Sequence, residues 1–108
     1  MKKLYIVVFL FCCFFHVALL EASQAVVKGQ LISKNTNYPA PGLTVSLIHP
    51  NLGRSAPAVS DGNGVFTFYG IPLMQTQYFL EVYWGRQLIF RKPIWVNNTR
   101  VSLPPFYI

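Results

Sequence analysis

From Val26 to the end of the chain, hydrophobic and polar positions alternate in short runs separated by turn residues. Alternation with a period of two predicts strands, because successive side chains of a strand point to opposite faces. A first strand is expected over Val26 to Ile32, followed by a loop from Asn35 to Gly42 stiffened by Pro39 and Pro41. Leu43, Val45 and Leu47 alternate with Thr44 and Ser46 in a second strand that Pro50 ends. Asn51 to Pro57 is poorly patterned and leads to a short strand at Ala58-Val59-Ser60. Val65 to Tyr69 reads as the next strand, closed by Gly70-Ile71-Pro72. Gln77 to Trp84 follows, then a tight hairpin at Gly85-Arg86 into Gln87 to Lys92. Pro93 interrupts, Trp95-Val96 resumes, Asn97-Asn98 turns, and Arg100 to Leu103 is the last strand.

The faces of these strands define a core. Leu31, Val45, Leu47, Phe66, Phe68, Tyr78, Leu80 and Val82 fall on the faces expected to meet between two sheets. Phe79, Glu81 and Tyr83 fall on the opposite face of their strand, which Glu81 marks as the wetter one. The sharpest local signal is Ser60-Asp61-Gly62-Asn63-Gly64-Val65-Phe66-Thr67-Phe68, a glycine-rich turn running into a strand. Asp61 and Asn63 tolerate turn conformations, and Gly62 and Gly64 supply positive φ at little steric cost. No helical period, repeat or linker is visible after residue 25. The expectation is one all-β sandwich domain over 26–108.

The first 25 residues carry a different message. Lys2 and Lys3 precede an apolar run from Leu4 to Leu20, and Ser23-Gln24-Ala25 offers small residues where a signal peptidase inspects the chain. A signal peptide over 1–25, cleaved after Ala25, places the protein in a secreted or periplasmic compartment. The competing reading is an uncleaved anchor, since the run nearly reaches the roughly 20 residues that span a bilayer. Cys12 and Cys13 invite a lipoprotein reading, but bulky Phe11 stands where that signal needs a small residue. After residue 25 there is no cysteine, so neither disulfides nor thiolate metal sites contribute and packing alone must hold the domain. About 80 residues is close to the lower limit for such a core.

The formal net charge is +6. Lys28, Lys34, Arg54, Arg86, Arg91, Lys92 and Arg100 face only Asp61 and Glu81 after residue 25, and apart from Arg91-Lys92 they are scattered. Nucleic-acid binding would focus the charge on one element. An anionic surface or acidic glycan is a more compatible partner, and a charge that merely keeps an apolar domain soluble is the simplest account. A zinc site needs several ligands around an open position, whereas His49 is the one histidine after residue 25 and reads as a strand-end residue. Asp61-Gly62-Asn63-Gly64 has too little charge for a calcium loop. No cofactor and no metal are expected.

The order Val27-Lys28-Gly29-Gln30-Leu31, Pro41-Gly42-Leu43-Thr44-Val45-Ser46-Leu47, the Ser60 to Phe68 turn and strand, Ile71-Pro72 and Tyr78-Phe79-Leu80-Glu81-Val82 resembles the carboxypeptidase regulatory-like domain. Asp61, Gly64 and Phe66 stand at that family's spacing, with Ser60 in place of the more usual threonine. The resemblance implies a prealbumin-like (transthyretin-like) Greek-key β-sandwich of about seven strands without catalytic activity. Related hydroxyisourate hydrolases share the topology but carry a histidine-rich site and end in Tyr-Arg-Gly-Ser, unlike the Pro104-Pro105-Phe106-Tyr107-Ile108 found here. Related pilin and adhesin domains form Lys–Asn isopeptide bonds, for which Lys28, Glu81 and Asn97 or Asn98 are the candidates. A solvated Lys28 is the preferred reading, because it faces away from Val27, Gly29 and Leu31.

The remaining candidate chemistry is aromatic. Tyr69, Tyr83, Trp84 and Trp95 lie near strand ends or on the wetter face, where rings stack on sugars or on apolar groups of a protein. Trp84, Arg86 and Trp95 are the candidate ligand-binding residues, with completion of the core as the alternative for the rings. Asn97-Asn98-Thr99 is an N-glycosylation pattern that matters only in a eukaryotic source. The expected function is an exported, noncatalytic module with a binding or structural role at the cell envelope or outside the cell, its partner a protein or a glycan. The alternative is a carbohydrate-binding module.

Overall fold

The computed structural model describes residues 24–108, and the expected leader, with Cys12 and Cys13, lies outside the described residues. Nine strands occur in the order β1 (Gln24–Ile32), β2 (Thr44–His49), β3 (Gly53–Arg54), β4 (Ala58–Val59), β5 (Val65–Pro72), β6 (Tyr78–Trp84), β7 (Gln87–Ile94), β8 (Arg100–Ser102) and β9 (Phe106–Tyr107), with no helix among the described residues. One sheet runs β5-β1-β8, with β9 also on β1. The other runs β3-β2-β6-β7, with β4 also on β2. β8 and β9 pair with β1 in parallel, and the other ladders are antiparallel.

All eight expected core residues are buried, joined by Ala25, Val27, Leu43, Ile71, Ile94, Val96 and Phe106. β1 shows how pattern becomes packing. Its inward positions Ala25, Val27, Gly29 and Leu31 are buried and its outward positions Gln24, Val26 and Lys28 are exposed. Gly29 sits in this row because Phe66, its partner across the ladder, lays its ring on it. A Cβ there would come within 2.5 Å of Phe66 Cζ.

Several expectations about the elements are corrected. Gly70 does not close β5. At φ 67° it forms a bulge, the register shifts where Ala25 and Val27 face Ile71 and Phe68, and the strand runs on to Pro72. Pro93 does not interrupt β7, which continues through it to Ile94. β7 is an edge strand, where a missing N–H need not break a ladder. Trp95-Val96 is not a strand, although Val96 is fully buried. The segment Asn51 to Pro57 contains β3, paired with β2. Phe106-Tyr107 forms β9, split from β8 by Leu103-Pro104-Pro105. β1 begins at Gln24, two residues upstream of the expected leader boundary.

The glycine-rich turn is corrected in one detail. Gly64, at φ 74°, is the glycine that needs the left-handed region, whereas Gly62 does not adopt positive φ. A Cβ on Gly64 would collide with the Leu31 carbonyl oxygen. Asp61 Oδ1 accepts from the N–H groups of Asn63 and Val65, each at 2.9 Å. Buried Ser60 donates through Oγ to the Ala40 carbonyl at 2.8 Å and accepts from Leu43 N at 3.0 Å. The turn is thereby tied into the entrance of β2.

Candidate functional site

Two surface regions concentrate exposed aromatic and cationic groups. The first is a cleft of about 460 Å³ on the open side of the sandwich, between β3 with its following segment and the end of β5. It lies between the edge of one sheet and the edge of the other. Leu47, Leu52 and Ile71 give it an apolar lining, and Arg54, Ser55, Tyr69 and Tyr78 add polar groups. Most of those are already engaged. Tyr78 donates to the Pro72 carbonyl at 2.6 Å, and burial pushes its hydroxyl pKa up. Ser55 Oγ donates to the Ala56 carbonyl and accepts from Leu47 N. Tyr69 is the free handle, because the Gly70 bulge leaves its side chain 77% exposed.

The second region is the outer face of β6 and its neighbours. Phe79, Glu81 and Tyr83 alternate with the buried Tyr78, Leu80 and Val82, as expected. Glu81 is not wet, however: its side chain is only 10% exposed. Arg54 Nη2 lies 3.1 Å from Glu81 Oε1, Tyr83 donates its hydroxyl to the same oxygen at 2.5 Å, and Arg91 Nε approaches Oε2 at 3.6 Å. The Arg91 guanidinium lies 4.4 Å from the Phe79 ring centroid, and that of Arg54 lies 5.6 Å from the Tyr83 centroid. The Tyr83 hydrogen bond, followed by Arg54 and Arg91, holds the Glu81 carboxyl below the usual carboxylate range against an opposing contribution from burial. The Tyr83 hydrogen bond likewise raises the Arg54 pKa.

The residues singled out from the sequence are only partly brought together. Gly85, at φ 58°, is the first central residue of the two-residue β6–β7 turn, a type II′ placement. Trp84 flanks it at 69% exposure, and Arg86 is exposed beside it. Trp95 lies elsewhere. Trp84 pairs with Gln87 at one end of the hairpin, and Tyr78 pairs with Ile94 at the other. At roughly 3.4 Å per residue, the two tryptophans are about 20 Å apart.

Lys28 is exposed on the outer face of β1 and Glu81 belongs to the other sheet, so the isopeptide candidates do not converge. His49 ends β2, as expected, but is fully buried. Its Nδ1 accepts from Asn51 N at 3.1 Å, which leaves the proton on Nε2 to be donated to Thr76 Oγ1 at 2.7 Å. Among the described residues no three His, Cys, Asp or Glu side chains gather where they could hold a metal. The Arg54–Glu81–Arg91 network escapes a sequence reading because Arg54 and Glu81 are 27 positions apart. The pairing of both β3 and β6 with β2 brings them together.

Solved structures share this architecture. The major pilin subunit of Bacillus cereus matches with a TM-score of 0.57 at 20% identity, over 79% of this chain and 30% of the pilin. The chain thus spans less than a third of that subunit. The 5-hydroxyisourate hydrolase of Klebsiella pneumoniae matches with 0.54 at 26% identity, over 77% of this chain and 84% of the hydrolase. A candidate carbohydrate binding protein of Pseudomonas aeruginosa matches with 0.52 at 15% identity, over 76% and 87%. No family model and no curated protein matches the chain. These likenesses carry the fold, a prealbumin-like β-sandwich.

Proposed function

We propose that this chain is an exported, noncatalytic module of the carboxypeptidase regulatory-like kind, with a binding or structural role at the cell envelope or outside the cell. The observation that carries this reading is the fate of the groups able to move protons. Asp61 closes its turn, Glu81 is held by Tyr83 and two arginines, and His49 spends both ring nitrogens on neighbours. General acid–base chemistry needs such a group within reach of a substrate. None of the three lines the cleft. What faces outward is aromatic and cationic: Tyr69, Trp84 and Arg86.

The fold shared with a pilin subunit and a candidate carbohydrate binding protein supports the same reading. The shared fold with a hydrolase calls for a direct test. Purified protein incubated with 5-hydroxyisourate should leave its absorbance decay at the uncatalysed rate. Turnover that His49→Ala abolishes would sink the noncatalytic reading.

A glycan-binding role is the second reading, favoured by Tyr69 on the lip of a cleft large enough for a small ligand. Retention on a polysaccharide that Tyr69→Ala or Trp84→Ala abolishes, with folding intact, would establish it. Equal behaviour of both variants and parent would remove it.

For export, we propose that 1–25 act as a signal peptide. Processing after Ala25 gives Val26 as the first residue and trims Gln24 and Ala25 from β1. Mass spectrometry of the exported protein reads that terminus directly, and recovery of the full-length chain with membranes would favour an anchor instead.

A further inference from the structure

We infer that the outer face of the β3-β2-β6-β7 sheet docks an acidic, partly apolar segment of a partner protein. This rests on the noncatalytic binding reading and supplies its partner class. The register assembles the face in rows. Ile48, Phe79 and Pro93 form one row, Ser46, Glu81 and Arg91 the next, and Thr44, Tyr83 and Leu88 the third. Arg54 enters from β3 opposite Ile48. A carboxylate at the centre therefore has a guanidinium on either side and an apolar or aromatic row above and below.

Three features point to the occupant. The first is unspent hydrogen-bonding capacity. Arg91 meets Glu81 only through Nε at 3.6 Å, beyond hydrogen-bond length, and Arg54 bonds through Nη2 alone. Their side chains are about half exposed, so two planar forks suited to carboxylates are held in place and open to solvent. The second is sign. Two arginines share one carboxylate on this face, and the described chain carries seven Lys and Arg against two acids, so an anionic segment is complementary.

The third feature separates a protein from a polysaccharide. Phe79 lies under Arg91 and Tyr83 beside Arg54, which obstructs sugar stacking on those rings. The surroundings, by contrast, include the exposed apolar side chains of Leu88 and Val59. Arginine and tyrosine framed by apolar side chains are the composition of protein interface centres.

The test uses a labelled peptide of Glu, Leu and Ser, with binding read by fluorescence anisotropy at physiological salt. The parent should bind it, and the Arg54→Ala, Arg91→Ala double variant should lose about tenfold or more in affinity. Lys28→Ala with Arg100→Ala removes the same number of charges from the other sheet and should bind as the parent does. Glu81→Gln keeps a side chain of similar shape, releases both guanidiniums and should tighten binding a few-fold. A merely structural network would not produce that gain.

Failure of the parent to bind, equal losses in the two double variants, or weaker binding by a Glu81→Gln protein with native near-ultraviolet circular dichroism would each overturn the proposal. So would displacement of the peptide by polygalacturonate at equal carboxylate concentration, which would make the face a reader of acidic polysaccharides. If the arginine double variant does not fold, the Glu81→Gln result decides. None of these outcomes bears on hydroxyisourate turnover, so the noncatalytic reading stands or falls separately.

Discussion

Two turns in this domain each place a glycine at positive φ and differ in what surrounds it. In Asp61-Gly62-Asn63-Gly64, the last glycine is pressed against the Leu31 carbonyl of the neighbouring strand and near Pro39 and Ala40, and a side chain there has no room. In Trp84-Gly85-Arg86-Gln87, Gly85 has nothing within 4 Å of where a Cβ would stand. In the first turn Asp61, Gly62 and Asn63 are exposed, but Gly64 is buried against β1. The second projects from the sandwich and leaves Trp84 exposed. Positive φ is common to both, so conformation alone does not separate a turn that holds the fold from one that is free to meet a ligand. The neighbours do.

The largest effect should come from the strand that the first turn launches. Phe66→Ala removes a fully buried ring that packs on Gly29 and meets Phe68 edge-on at 6.0 Å. It should cost about 3–5 kcal/mol in urea unfolding, a large share of a small domain's stability. An unchanged midpoint would mean that the β1–β5 interior does not carry the fold.

Gly64→Ala comes next, at about 2–3 kcal/mol, because it combines an unfavourable φ with a collision against backbone that cannot swing away. A cost comparable to that of Gly85→Ala would erase the distinction between the turns.

On the hairpin side, the Glu81 carboxyl has a lowered folded-state pKa. A lowered acid pKa contributes stability that is fully present above the unfolded value, near 4.3, and is lost as pH falls through the folded one. Thermal melts of the parent should therefore show an extra loss below about pH 4.3 that Glu81→Gln lacks. Identical profiles would mean that Arg54, Arg91 and Tyr83 do not favour the charged form. Gly85→Asn should cost less, about 1 kcal/mol, since a side chain is strained at this positive φ but meets nothing within 4 Å. A loss as large as that of Gly64→Ala would show the hairpin to be structurally committed as well.

The strands with clean alternation were legible in advance, and so was the core they share. β1, β5 and β6 fall where the period of two puts them, and every expected core position is buried. The exceptions have physical causes. Gly70 and Pro93 read as strand ends because they usually are, but a bulge absorbs the first and an edge position the second. β3 and β9 are two residues each, too short for any period. At the candidate site, the pattern leaves open whether Trp84 and Trp95 complete the core or face solvent; both are exposed, and the distance between them depends on hairpin register. Alternation places Glu81 on the correct face, but that face is not wet at Glu81, whose side chain is only 10% exposed. Alternation gives direction, and the covering arginines come from other strands.

The parallel placement of β8 and β9 along β1 governs how the domain would carry tension. Force entering at Val26 and leaving at Ile108 draws β1 one way and β9 the other along the strand axis. The bonds from Val26 N to Thr99 O, from Leu103 N to Lys28 O and from Ile108 N to Ile32 O then resist together in shear instead of opening one after another. Forced unfolding is governed by the unfolding barrier rather than by equilibrium stability. A chain held at these two points should therefore yield at a higher force than the same chain pulled from Val26 and Gly85, where the two attachments belong to different sheets and no single ladder is stretched end to end.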